Sequence, residues 1–441
     1  MSHSLDAIFR PQSVAVVGAS NAPEKYGYII LKNILDAGFR GPVYPVNPKG
    51  IEILGRPSVR SIADLPPGVD LAVIIIPAGA VPQALTEAGQ GEIKAAVIIS
   101  GGFAESGDEG AALQREVVEV ARRSAIRVVG PNCQGVNNPH HGLCASWPLL
   151  TQPGEIAVIS QSGTVGAALM DWASREQLGC STFVSLGNRA DIDETDVIEY
   201  LVTDPHTQAI AVYLEGIKDL DRFRRVVSGC RKPIVILKAG RTVEGRRAAA
   251  SHTRSLAGRD ELYTALFRQL NVHRADSLED LYDAAKALAY LPRPAGRRLL
   301  IITSSGGSGI LATDWAEWSG LAIPPLSDQV ATRLRGLLPR HCIVANPLDL
   351  TGDATAALYR TVVEATAAHV DYQVIIFGDP ILDAAGVVTH GAPQLVIFLG
   401  GADVERRERE RMHLKKVPVF PTPERGLRAL ARLFAYHGEV S

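Results

Sequence analysis

The feature that most constrains this chain is a rhythm. Short apolar runs, each closed by a turn of glycine, proline or serine, alternate with amphipathic segments of helical period. SVAVVGA, VYPVN, LAVIIIPA, AAVIISGG and IRVVGPN come first. Runs of this kind, separated by helical stretches, mark parallel strands buried on both faces by crossover helices. A second series, EIAVISQSG, STFVSLGN, AIAVYLEG and PIVILKAG, follows the punctuation Gln152-Pro153-Gly154, and a third, RLLIITSSGGSG, YQVIIFGDP, QLVIFLGG and VPVFPT, follows LPRPAGR. The fold class is therefore α/β. A Rossmann-like unit is expected over residues 1–150, then two flavodoxin-like parallel-sheet units over 151–294 and 295–441.

Length agrees, because 441 residues with 46% apolar side chains exceed one compact core. The second unit is expected to end in two helices. One carries Leu262, Leu266 and Leu270 as a core-facing stripe, and the other starts at Ser277 with Asp280 completing an N-terminal capping signal. A formal net charge of -2 leaves no basic footprint for nucleic acid or an anionic membrane. The five cysteines, Cys133, Cys144, Cys180, Cys230 and Cys342, form no CxxC pair or metal-ligand spacing, so a reduced, cytoplasmic setting without a metal site is expected. The opening MSHSLDAIFRPQS has no signal-peptide pattern, and no apolar run reaches spanning length.

Candidate chemistry sits at the strand ends, where open α/β sheets bind ligands. The first βα turn, Gly18-Ala19-Ser20-Asn21, can aim backbone N–H groups at a phosphate, although it is no GxGxxG. The second strand ends Val46-Asn47-Pro48-Lys49, where an NAD site would carry an acid; Lys49 favours a phosphorylated ribose, as in coenzyme A or NADP. Ser100-Gly101-Gly102 closes the fourth strand, and Gly130-Pro131-Asn132-Cys133 the fifth. Cys133 lacks an assignable histidine partner and reads as a small buried residue rather than a nucleophile. Ser162-Gly163-Thr164 opens a helix, either as an anion cradle or with Ser160 or Ser162 as an ordinary N-cap. Glu215 ends another strand, where a carboxylate can fix a histidine tautomer. His252, in ASHTRSLAG, has no second ligand at metal spacing and stays open between general base, phosphoryl-accepting nucleophile and exposed loop residue.

Taken in order, VAVVGAS, PVNPK, IIIPA, SGGF, GPNCQG, ISQSG, SLGN, YLEGIKD, SHTRSLAG, DSLEDLYDAAKAL, ITSSGGSG and NPLDL resemble the alpha subunit of the NDP-forming acyl-CoA synthetases, in the succinyl-CoA synthetase superfamily. The resemblance implies a CoA-binding first domain, with contacts at Gly18, Ala19, Ser20, Asn21, Lys49, Ser100, Gly101 and Gly102. It implies phosphate held by Ser162, Gly163 and Thr164, His252 as the residue phosphorylated in turnover, and Glu215 as its orienting carboxylate. Carboxylic acid, CoA and NTP would interconvert with acyl-CoA, NDP and phosphate through an acyl phosphate and a phosphohistidine. The nucleotide, with Mg2+, would sit on a separate ATP-grasp beta subunit, in an oligomer. Two departures from the family pattern stand out: Arg254 where glycine is usual, and a short connection from Pro380 to Pro393. A CoA-holding scaffold without catalysis is the rival reading, and an NADP-dependent reductase a weaker one.

Overall fold

The computed structural model describes residues 5–253 and 260–438, the side chains of 249–253 excepted. Strands Val43–Val46, Val14–Val17, Leu71–Ile74, Ala95–Ile98 and Arg127–Val129 lie side by side as one parallel sheet. Counted along the chain, that is the order 2-1-3-4-5. Cys180–Ser185, Pro153–Ser160, Ala209–Leu214, Ile234–Lys238 and His273–Ala275 repeat this order in a second sheet, and Leu348–Asp349, Leu299–Thr303, Tyr372–Phe377, Gln394–Phe398 and Val419–Phe420 repeat it in a third. Each array reverses direction of growth between its first and third strands. The turns after those two strands therefore flank a crevice at the carboxyl edge.

The described residues fall into two compact units: the chain up to Arg175 with Gly179–Arg274, and Glu176–Leu178 with the chain from Ala275 onward. Strands Gly135–Asn138 and Leu143–Ser146 form an antiparallel hairpin that adds to Cys180–Ser185, so the second sheet recruits chain from before residue 150. One apolar core also runs through this unit, joining Val16, Leu71 and Val97 of the first sheet to Ile159, Ile210 and Ile236 of the second. Its short helix Asp6–Phe9 belongs to the same core: Ile8 and Phe9 are fully buried, with Phe9 stacked on Tyr200 at 4.9 Å between ring centroids. Full burial of each such side chain is worth about 1.5–3 kcal/mol.

Helix Leu278–Tyr290 begins as its sequence indicates, with Ser277 as N-cap accepting from the Asp280 N–H at 3.1 Å. By packing it belongs to the later unit. There it packs on Pro423–Tyr436, and Asp283 takes a two-point ion pair from Arg425 at 2.6 and 3.0 Å. Of the expected leucine stripe, Leu266 and Leu270 pack, half-buried, against the core, while Leu262 is 65% exposed; Tyr263 and Phe267, with ring centroids 5.9 Å apart, are the buried side chains of helix Asp260–Gln269. The connection between the parallel strands Tyr372–Phe377 and Gln394–Phe398 contains only the 3-10 turn Ala384–Gly386, in keeping with its short sequence. No helix among the described residues is long and apolar enough to cross a membrane.

Candidate active site

Within the first unit, the carboxyl edges of both sheets face one cavity of about 870 Å³. Ser100 and Gly101 line it from the first sheet, and Gln161, Ser162, Gly163 and Thr164 from the second. The second-sheet turn is built by close packing. Helix Gly163–Arg175 buries Gly166, Leu169, Met170 and Ala173, spaced as one helical face. A Cβ on Gly166 would fall 2.8 Å from the Phe183 ring, so glycine lets the helix lie close on the sheet. Ser160 is buried, and its hydroxyl donates to the Ser162 carbonyl at 2.5 Å, folding the turn. The Ser162 carbonyl also accepts from the Gly166 N–H at 3.1 Å, so Ser162 occupies the N-cap position, and the first-turn amides at Gly163 and Thr164 have no intrahelical acceptor. Amides presented at a helix start favour an anion.

The wall opposite is polar and largely uncharged. Glu105 and Arg189 are the two charged residues among the described lining residues. Glu105 accepts from the N–H groups of Gly102 and Phe103 at 2.6 and 3.1 Å, and from Asn188 at 2.5 Å. Burial acts to raise its pKa, yet these donors together outweigh it and hold the carboxyl below its ordinary range. Arg189 is 4% exposed and donates to Glu194 at 3.1 Å and to the Gly216 carbonyl at 2.7 Å. Burial, opposed by Arg189, leaves the Glu194 carboxyl above its usual range. Cys133 also lines the cavity, but its thiol donates to the Ile98 carbonyl at 3.3 Å and burial pushes it up to about 12, which fits a packing residue and not a nucleophile.

The expected site residues divide into three groups. Ser100, Gly101, Ser162, Gly163 and Thr164 meet at the cavity, although the Ser100 hydroxyl is committed to Ile76, donating to its carbonyl at 2.5 Å and accepting from its N–H at 3.1 Å. Gly18, Ala19, Ser20, Asn21 and Lys49 form a neighbouring cluster outside the cavity lining. There Asn47 donates to the Ala19 carbonyl at 2.7 Å, Asn21 donates to the Glu52 carbonyl at 2.7 Å, and Lys49 is exposed. Gly18 has φ +95, and a Cβ there would fall 2.2 Å from the Ile75 carbonyl oxygen, so strand packing alone demands glycine. Gly102 also lies outside the lining, with its N–H spent on Glu105. Glu215 is buried behind Gln161 rather than lining the cavity. The helix Val243–Thr253 carries the His252 backbone on its last turn, where a loop was expected, and runs against the cavity-lining turn Ala104–Ser106; the His252 side chain and Arg254 lie outside the described residues.

Asn188, Arg189, Glu105, Gln134 and Trp147 line the cavity without having been singled out. Asn188 and Arg189 follow the strand Cys180–Ser185, so the rule that pointed to Ser162 applied to them as well.

Residues 12–139 match the family model of a CoA binding domain, and residues 153–288 that of a succinyl-CoA ligase like flavodoxin domain. The chain is 41% identical, over 98% of its own length and 98% of the relative's, to the alpha subunit of acetate–CoA ligase [ADP-forming] I from Pyrococcus furiosus. It belongs to the ADP-forming acyl-CoA synthetase family. Other members of this synthetase family are longer: the chain is 39% identical to acetate–CoA ligase [ADP-forming] I of Archaeoglobus fulgidus but spans 64% of it. Among solved structures, a dinucleotide forming acetyl-coenzyme A synthetase 1 from Ca. Korarchaeum cryptofilum, in complex with phosphate and ADP, superposes on this synthetase chain with a TM-score of 0.90. Identity to it is 36%, covering 98% of this chain and 97% of that one.

Proposed function

We propose that this chain is the CoA-binding, phosphohistidine-bearing alpha subunit of an ADP-forming acyl-CoA synthetase. The observation that carries the reading is the convergence of two turns from different sheets, Ser100–Gly101 and Ser162–Thr164, on one cavity of about 870 Å³. That volume suits the end of a pantetheine arm together with a small acyl group and a phosphate. The helix-start amides and the hydroxyl-bearing Ser162 and Thr164 fit the phosphate, with Arg189 as the cation in the same wall.

In the thioester-cleaving direction, a phosphate oxygen attacks the acyl carbon, the C–S bond breaks, and CoA leaves as thiolate. A neutral His252 nitrogen then attacks phosphorus, the bond to the acyl oxygen breaks, and the carboxylate departs with the electron pair. Glu215 orients the imidazole and stabilises the charge it gains. Phosphoryl transfer asks chiefly for positioning and fixed dipoles, which the helix start supplies. The phosphohistidine then donates to ADP held, with Mg2+, by an ATP-grasp partner subunit, in the cytoplasm. Relatives named as alpha subunits, and another of which about a third lies beyond the match to this chain, support such a partner.

Incubation with the partner subunit and radiolabelled ATP is expected to give acid-labile, base-stable protein label that His252→Ala abolishes. Equal label in that variant, or none in the wild type with any acid and CoA, refutes the catalytic reading. Stabilisation by CoA but not by dephospho-CoA or NADP is expected if Lys49 meets the ribose phosphate.

A further inference from the structure

We propose that Gln161 is a positioning residue that sets the Glu215 carboxylate in register with the phosphate turn; the proposal rests on the functional reading above. Gln161 stands between Ser160, the last residue of its strand, and Ser162. It is 5% exposed, and its carboxamide is fully used. Oε1 accepts from the N–H of Glu215 at 2.7 Å and of Gly216 at 3.2 Å. Nε2 donates to Glu194 Oε2 and to the Gly216 carbonyl, both at 2.9 Å. Arg189 donates to the same two oxygens, so the Gly216 carbonyl is held from two directions.

The neighbouring strands are in register here, with Ser160 opposite Tyr213, and the Gln161 N–H reaches the Tyr213 carbonyl at 3.2 Å. Beyond that bond the ladder ends, and the side chain of Gln161 takes over as partner of the two amides that follow Leu214. The two halves of the proposed site, the anion turn and the orienting carboxylate, thus leave adjacent strands and are tied by one amide group. A rotation at Glu215 cannot occur without breaking bonds to the residue that precedes Ser162.

The test uses the full chain, radiolabelled acetyl phosphate as phosphoryl donor, and the variants Gln161→Met, Glu215→Gln and their combination. Gln161→Met is expected to slow phosphohistidine formation by about 10- to 100-fold, the usual size of an orienting partner one step removed. In the Glu215→Gln background it should add almost nothing, because both changes act through one group. Additive losses overturn the proposal while leaving the functional reading intact; an unchanged rate in Glu215→Gln alone overturns the reading instead. Hydrogen exchange decides the geometry independently of activity: peptides covering Glu215 and Gly216 should exchange at least about tenfold faster in Gln161→Met, and unchanged protection there overturns the clamp.

Discussion

Replacing Arg189 by methionine isolates a single buried charge. The Arg189 side chain is 5% exposed and that of Glu194 0%, and among the described residues Glu194 Oε1 has no hydrogen-bond partner, so the guanidinium and the Gln161 amide are the side-chain donors to the carboxylate. Removing one partner of such a pair costs about 3–5 kcal/mol. Protonation sets a ceiling: neutralising a carboxyl of unfolded pKa near 4.3 costs about 3.7 kcal/mol at pH 7, at 1.36 kcal/mol per unit. The expected loss is therefore about 3–4 kcal/mol at pH 7. Its pH dependence follows from the direction of the shift, since burial already raises the Glu194 carboxyl and loss of Arg189 raises it further. A carboxyl raised in the folded state stabilises fully below its unfolded pKa and loses that contribution as pH climbs toward the folded value. The deficit should thus shrink on acidification from pH 7, by at most about 1.4 kcal/mol per unit. Urea unfolding at pH 5, 6, 7 and 8 measures it, with Trp315 and Trp318 replaced by phenylalanine so that Trp147 and Trp172 report the first unit. The companion Arg189→Met/Glu194→Gln should regain about half of the loss and flatten the pH dependence. A loss under about 1 kcal/mol at pH 7, or a double variant no more stable than the single, refutes the claim that this pair is a desolvated ion pair.

Three further outcomes are expected. In Gly163→Ala the new Cβ would stand 2.7 Å from Gln134 Cγ, so the side chain must leave the cavity wall; the KM for phosphate should rise about tenfold with little change in Tm, and Gln134→Ala should relieve it, as steady-state kinetics would show. With its thiol pushed up to about 12 by burial, Cys133 should alkylate at pH 8 about a thousandfold more slowly than a free cysteine, and Cys133→Ala should keep phosphohistidine formation, both read by mass spectrometry. In the second unit, His413 is buried and accepts from the Val419 N–H at 3.3 Å; burial first, then Lys286 and Arg409, hold its imidazole well below the usual range. The unfolded chain takes up that proton below about pH 6.5 and the folded chain does not, so stability should fall as pH drops from 7 to 5. His413→Gln should flatten the slope of Trp315 and Trp318 unfolding.

The sequence exposed what repeats and hid what pairs across distance. Buried parallel strands announce themselves as apolar runs, and the glycine and serine turns that end them mark the crevice, so Ser100, Gly101 and Ser162–Thr164 were legible from local pattern. The roles proposed for His252 and Glu215 rest on family resemblance, because no spacing links residues so far apart in the chain. The hairpin Gly135–Ser146 escaped notice because its strands, GVNN and LCAS, are short and half polar, and their pairing depends on an edge offered by Cys180–Ser185. Leu262 was misjudged because a leucine stripe and a Tyr263–Phe267 pair compete on one helix, and the sheet decides which is covered. Arg189 carries no motif of its own; burial beside Glu194 gives it meaning, and burial is a property of the fold.

That hairpin also governs how this protein can be recombined. All six positions of Cys180–Ser185 are buried, so a graft that exchanges residues 1–150 for a first module lacking this hairpin would bare an apolar edge ready to stitch onto another molecule. Chimeras between relatives should hold together when the seam falls ahead of Gly135, so that the hairpin stays with the border strand it covers.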